Sequence, residues 1–213
     1  MIPNNARILF QGDSVTDCDR DRRVAAPNLP NGLGKGYVFM IAGQLLAKRP
    51  NDGLLVFNRG CKGDRVWHLL ERWKQDCIQL KPDVVSIVIG GNDLWDKLEH
   101  RYDGTVQDFD QQFHELLSLT RAELPHARLI VGEPFVLRCC IVDDRWFPAF
   151  DAYRAVTKRY ADGFGALFVP LQSMFDEATR IAPPEFWAPD GIHPSVAGHH
   201  LIAQTWLRTA GVV

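Results

Sequence analysis

The chain has 213 residues, enough for one substantial core, and its 46% hydrophobic and 23% charged residues match an ordinary soluble globular protein. Its formal charge of -2, with 24 basic and 26 acidic residues interspersed, gives a polyanion nothing to bind, so nucleic acid is not an expected partner. No apolar run reaches the length of about 18 residues that suggests a membrane span, so no membrane partner is expected. The opening MIPNNARILF lacks a signal-peptide pattern, and five cysteines without a CxxC pair read as reduced thiols, which together imply a cytoplasmic protein.

In chain order, short β-branched runs alternate with longer amphipathic segments, without repeats or linkers, so residues 1–213 are expected to form one domain. A first strand at 7–11 runs into Gly12-Asp13-Ser14. The connection 17–35, carrying Pro, Asn and Gly, suits either a lid or an interface loop. A helix is predicted at 37–48, then a strand at 54–58 that leads into Arg59-Gly60, and a helix at 64–80. The strand at 83–89 runs into Gly90-Gly91-Asn92-Asp93, where the glycines permit a turn. Val106, Phe109, Phe113, Leu116 and Leu117 recur at helical spacing within 105–124, behind an imperfect capping box of Thr105 and Asp108. A strand at 128–131, a helix at 149–160 and a strand at 166–169 follow, and 171–180 is ambiguous. Pro194 suits the first turn of a last helix ending near Thr209. The strands are short and mostly apolar, as in parallel sheets covered on both faces. The predicted fold class is therefore α/β, a three-layer α/β/α sandwich around a central, mostly five-stranded parallel sheet.

In such sheets functional groups gather beyond the carboxyl ends of the strands. Read there, four segments offer a hydroxyl (Ser14), a glycine N–H (Gly60), a carboxamide (Asn92) and an acid–imidazole pair (Asp190 and His193). That set fits acyl transfer. A neutral hydroxyl needs a base, which His193 supplies, with Asp190 orienting the ring and stabilising the imidazolium. The tetrahedral intermediate needs donors for its oxyanion, offered by the Ser14 N–H, the Gly60 N–H and the Asn92 side chain.

The segments GDSVTD, NRGCKG, GGND and DGIHPS resemble, in order and spacing, the four blocks of the SGNH (GDSL-type) hydrolases. The resemblance spans nearly the whole chain and implies a flavodoxin-like SGNH fold. It also implies that Ser14, Gly60, Asn92 and His193 are the family's four named residues, with Asp190 completing the triad. Val15 stands where the name-giving motif has Leu. The G-x-S-x-G elbow of the other large serine-esterase fold is absent around Ser14. The family gives Asp13 and Asp93 loop-bonding rather than catalytic roles, and Asp17 is read the same way. No cofactor and no metal is implied.

The stretches GDSVTDCDRD, LGKGY and CIQLKPDVVSIVIGGNDLW closely resemble intracellular acetylxylan or xylo-oligosaccharide esterases of this superfamily. They imply a small-molecule ester substrate, an acetylated sugar, and a homo-oligomer, since several relatives assemble. Lysophospholipase or acyl-thioesterase activity is the first alternative. A metal-dependent phosphoesterase built on Asp13, Asp17, Asn92, Asp93 and His193 is a second, but the histidine-rich turns it needs are missing. A catalytically dead binding module is a third. Trp95, Trp146 and Trp187 fall in predicted loops, where they suit either a platform for a sugar ring or loop packing. Trp67, Trp73 and Trp206, on predicted helices, read as core or interface, and His199 and His200 as packing or surface residues.

Overall fold

The structure, a computed structural model, describes residues 2–212. The chain runs β1 (Arg7–Gly12), α1 (Ser14–Asp17), α2 (Pro30–Leu33), α3 (Tyr37–Lys48), β2 (Leu55–Asn58), α4 (Val66–Asp76), β3 (Val84–Val88) and α5 (Gly91–Leu98). It continues through α6 (Val106–Glu123), β4 (Arg128–Gly132), α7 (Ala149–Gly163), β5 (Leu167–Val169), α8 (Leu171–Ala178), α9 (Pro184–Trp187) and α10 (Val196–Thr209). All five strands are parallel, in the order β2-β1-β3-β4-β5. The predicted α/β class and five-stranded parallel sheet are observed.

Each strand feeds two cores because successive residues face opposite ways. On β1, Ile8 and Phe10 join the core under α3, α8 and α10, while Leu9 joins the one under α4, α6 and α7. On β3, Val84 and Val88 face the first, and Val85 and Ile87 the second. Two buried indoles find partners inside these cores: the Trp206 N–H donates to Ser86 Oγ (2.9 Å), and that of Trp73 to Thr120 Oγ1 (3.0 Å). Trp73 and Trp206 are thus core residues, whereas Trp67 is half-buried.

The strand order reverses at β1, which has β2 on one side and β3 on the other. At such a switch point the connections leave in opposite directions and open a crevice beyond the carboxyl ends of the two central strands. Here those ends are followed by Ser14 and by Asn92.

Several local expectations change. Residues 64–80 are not one helix: α4 starts after an extended Arg65 and ends at Asp76, followed by a 3₁₀ turn at Ile78–Leu80. The segment after β3, read as a turn, continues as α5, because Gly90 (φ 122°) makes the turn and Asn92, Asp93 and Leu94 then bury their side chains. The ambiguous 171–180 segment forms α8. Pro194 lies outside the last helix, which begins at Val196, with the Ser195 hydroxyl accepting from the Gly198 N–H (3.2 Å). The Thr105–Asp108 box forms in both directions, Thr105 N–H to Asp108 Oδ2 (2.7 Å) and Asp108 N–H to Thr105 Oγ1 (3.2 Å).

The 17–35 connection is tied down rather than free to swing. Asn28 uses its side chain as a strand would, donating to Leu54 O (2.8 Å) and accepting from Val56 N–H (2.8 Å). Buried Arg20 donates to Gly60 O (2.7 Å), and Asn58 Nδ2 to Thr16 O and Leu33 O. Among the described residues, no helix is long and apolar enough to cross a membrane.

Candidate active site

Gly12 ends β1 with φ 153°, and a Cβ there would stand 2.2 Å from Val88 O and 2.4 Å from Thr16 Oγ1. Only glycine lets the chain turn so close to β3. Asp13 then caps α1, with Oδ1 accepting from Val15 N–H (3.0 Å) and the carbonyl from Asp17 N–H (2.8 Å). Cys18, in the left-handed region (φ 37°), stops the helix after one turn. Ser14 is therefore the first residue of α1, and among the described residues its N–H has no acceptor.

His193 reaches Ser14 from the far end of the chain. Ser14 Oγ lies 2.9 Å from His193 Nε2, and His193 Nδ1 lies 2.7 Å from Asp190 Oδ2. A carboxylate opposite Nδ1 selects the tautomer that carries its proton there and leaves the Nε2 lone pair facing the hydroxyl. Asp190 Oδ1 accepts from the backbone N–H groups of Ile192 (2.9 Å) and His193 (2.7 Å). Burial pushes the Asp190 carboxyl up, but hydrogen bonds from the His193 backbone, its ring and Ile192 N–H bring it below the usual carboxylate range. The group facing the imidazole is thus an anion at neutral pH.

Asn92 is buried in the first turn of α5 and donates one Nδ2 hydrogen to Asp64 O (2.9 Å), which leaves the second without an acceptor among the described residues. Gly60 departs from its expected role. Its N–H donates to Asn58 Oδ1 (2.8 Å), and a Cβ would stand 2.4 Å from Asp17 N, so this glycine serves the packing of its loop against α1. Gly63, three residues on, has φ +87° and open space around its Cβ position. Among the described residues its N–H has no acceptor. It immediately precedes Asp64, the residue whose carbonyl holds Asn92. The signal available in the sequence was the second glycine of NRGCKG.

The three tryptophans separate. Trp95 stands on α5 rather than in a loop and meets the His193 ring edge-on (centroids 6.1 Å apart, 63°). Trp146 is 1% exposed and its indole N–H donates to Ile141 O (3.2 Å), which corrects the substrate-platform reading: it packs the core. Trp187 is half-buried against the opposite core, with its indole N–H donating to Ala178 O and Ala182 O (3.0 and 3.1 Å).

The crevice around Ser14 and His193 has a volume of about 220 Å³, and its wall includes Asp17, Lys62, Pro194 and His199. His199 was not singled out for it by sequence. Its Nδ1 accepts from Tyr37 N–H (3.2 Å) and its Nε2 meets Cys18 Sγ (3.3 Å). Burial, with the repulsion a protonated His193 would add, lowers its pKa to about 4, so it is neutral at working pH. Asp17 ties loops together, its Oδ2 accepting from Lys62 N–H (3.0 Å) and from the Arg22 guanidinium (2.6 Å).

Beneath the crevice, Asp13 and Asp93 are both buried, and burial raises their pKa values to about 6 and about 7. Asp13 also pushes Asp93 up, against the Val66 N–H and Arg65. Asp93 Oδ2 has no partner among the described residues. Raised carboxyl values favour the fold at low pH, and that contribution is lost as pH climbs through about 6 and 7. Asp93→Asn is therefore expected to raise Tm by several degrees at about pH 8 and by less at about pH 5. Thermal melts of both proteins across that range check it, and an identical pH dependence would contradict it.

A hydroxyl, an imidazole and a carboxylate joined in series on the carboxyl edge of a doubly wound sheet are the arrangement of a serine hydrolase. The model of the GDSL-like lipase/acylhydrolase family matches residues 10–201, and the chain belongs to that family. It is 35% identical to an acetylxylan esterase of Geobacillus stearothermophilus over 212 residues, covering 99% of this chain and 96% of that one. A solved structure of that esterase superposes with a TM-score of 0.89 at 34% identity, covering 99% and 96% of the two chains. A GDSL-like lipase from Parabacteroides merdae ATCC 43184 superposes with a TM-score of 0.98 at 40% identity, covering 100% and 99%.

Proposed function

We propose that the protein is a carbohydrate acetylesterase in which Ser14, His193 and Asp190 are the catalytic residues. The observation that carries the acetyl reading is the crevice itself. It is small, and Asp17, Asp19, Lys62 and His199 stand in its wall beside Ser14, Cys18 and His193, with only Val15 and Pro194 as aliphatic residues. A long acyl chain needs an extended apolar surface to leave water, whereas a two-carbon acyl group on a hydroxyl-rich alcohol does not. The apolar recess lined by Val15, Ile89, Phe135 and Ile192 measures only about 20 Å³. The Geobacillus relative, an acetylxylan esterase, supports the same substrate class, and three of its solved structures are described as catalytic mutants, with alanine replacing a serine, a histidine and an aspartate.

In the reaction, Ser14 Oγ attacks the acetyl carbonyl while His193 Nε2 takes its proton, and Asp190 stabilises the imidazolium. The oxyanion is held by the Ser14 N–H, the free Asn92 Nδ2 hydrogen and the Gly63 N–H, which replaces Gly60 as the third donor. His193 returns the proton to the departing sugar oxygen and leaves an acetyl-enzyme. It then deprotonates the water that releases acetate and restores Ser14. Trp95, beside the imidazole, is the aromatic best placed to touch the sugar.

The test is a p-nitrophenyl ester series from acetate to octanoate. kcat/KM is expected to be highest for acetate and to fall with chain length, and a strong preference for octanoate would favour the lysophospholipase or thioesterase alternative. Two-metal phosphoester hydrolysis is disfavoured because the Asp17 carboxylate is already engaged by Lys62 N–H and Arg22.

A further inference from the structure

Away from the crevice, the segment between β4 and α7 brings two neighbouring thiols to a carboxylate from a distant part of the chain. Cys139 Sγ, Cys140 Sγ and a carboxylate oxygen of Glu185 all lie within 4.8 Å of one another. Neighbouring side chains on an extended strand point to opposite faces. Here Cys140 takes φ 52°, a left-handed turn, and the two sulfurs converge. Glu185 comes from α9. Cys139 is half-buried, while Cys140 and Glu185 are exposed, so the group is open to an ion from solvent.

We propose that Cys139, Cys140 and Glu185 form a site for a thiophilic divalent cation of the zinc or cadmium kind, and that filling it disturbs the segment that carries Asp190. Two sulfurs and a carboxylate oxygen, completed by water, make a four-coordinate set, and soft sulfur selects zinc or cadmium over magnesium or calcium. Ligands on such an ion stand roughly 3.5–4 Å apart, so closing the set requires a shift of at most about 1 Å. Each thiol gives its proton to solvent as its metal–sulfur bond forms, and no electrons are transferred.

The link to the crevice runs through those protons. Cys139 Sγ–H donates to Ala188 O (3.6 Å) and Cys140 Sγ–H to Pro189 O (3.1 Å), the two carbonyls just ahead of Asp190. The same segments are joined by Ile141 N–H to Asp190 O (3.4 Å) and Leu137 N–H to Gly191 O (2.8 Å). Coordination removes both sulfur donors and leaves thiolates facing carbonyl oxygens, so the 188–190 stretch must move. Asp190 holds His193 at 2.7 Å and moves with it.

The experiment is a cadmium titration of the intact protein, followed by calorimetry and by sulfur-to-cadmium charge-transfer absorption. One equivalent is expected to bind, and the band is expected to vanish in the Cys139→Ser/Cys140→Ser variant and persist in Cys18→Ser, which removes the competing thiol–imidazole pair. No stoichiometric binding, or an undiminished band in the double variant, overturns the site. The link to Asp190 rests on the function proposed above, so turnover of p-nitrophenyl acetate is read in parallel. One equivalent of cadmium is expected to lower kcat of the wild type and not of the double variant, while equal inhibition of both, or binding without inhibition, overturns the link. A failure of the esterase reading shows separately, as metal-free turnover that does not depend on Ser14.

Discussion

Ser14→Ala is expected to lower kcat for acetyl ester hydrolysis by about 10³-fold or more, the scale on which a hydrolase loses its nucleophile. The loss should not reflect unfolding. Among the described residues, the hydroxyl's hydrogen bond is to His193 Nε2, so its removal leaves both cores and the α1 cap untouched. Tm of the variant should match the wild type. His193→Ala should cost a similar factor, and the double variant little more, because nucleophile and base act as one unit. A fluorophosphonate probe should label the wild type at Ser14 and leave the alanine variant unlabelled. Wild-type turnover in Ser14→Ala, measured with the relevant ester and free of contaminating esterase, would dismiss the mechanism.

Asn92→Ala is expected to reduce kcat by about 10²–10³ with KM little changed, since in the proposed mechanism its free Nδ2 hydrogen meets an oxygen that becomes negative only in the transition state. The side chain also holds Asp64 O, so part of any loss could come from a displaced β2–α4 connection. The two contributions separate experimentally. Loss of an oxyanion donor lowers kcat alone, whereas a displaced loop raises KM and lowers Tm. A crystal structure with a boronic acid on Ser14 would locate the donors directly. One boronate oxygen is expected within hydrogen-bond reach of Ser14 N, Gly63 N and Asn92 Nδ2. A boronate oxygen bonded instead to Gly60 N would require that N–H to leave Asn58 Oδ1 and would overturn the choice of Gly63.

The crevice combines groups held in different charge states by their surroundings. Asp190 remains ionised because three N–H donors face it, while burial raises Asp13 and Asp93 toward the neutral form and keeps His199 uncharged. Asp190 thus sets a negative charge directly behind the imidazole, where in the mechanism proposed above it supports the developing imidazolium.

The strands and most long helices were legible in the sequence because their signals are local. Alternation along β1 reports directly which residues face which core, and Thr105 with Asp108 forms its box within a single turn. The blocks bearing Ser14, Asn92, Asp190 and His193 stood out in the sequence too, since each contains its own glycines and polar groups, although Asn92 lies on α5 and not in a turn. Partners far apart in the chain decided the rest. Gly60 and Gly63 look alike in NRGCKG, and the choice of Gly63 follows from Asn58 Oδ1 accepting the Gly60 N–H. Trp146 and Trp95 both looked like loop aromatics until one was buried in the core and the other laid beside His193. The contact between Ser14 and His193 spans 179 residues. No periodicity could report it, because it follows from the strand order: reversal at β1 opens the crevice beside β3, and α10 packs against α3, anchoring the chain just beyond the histidine.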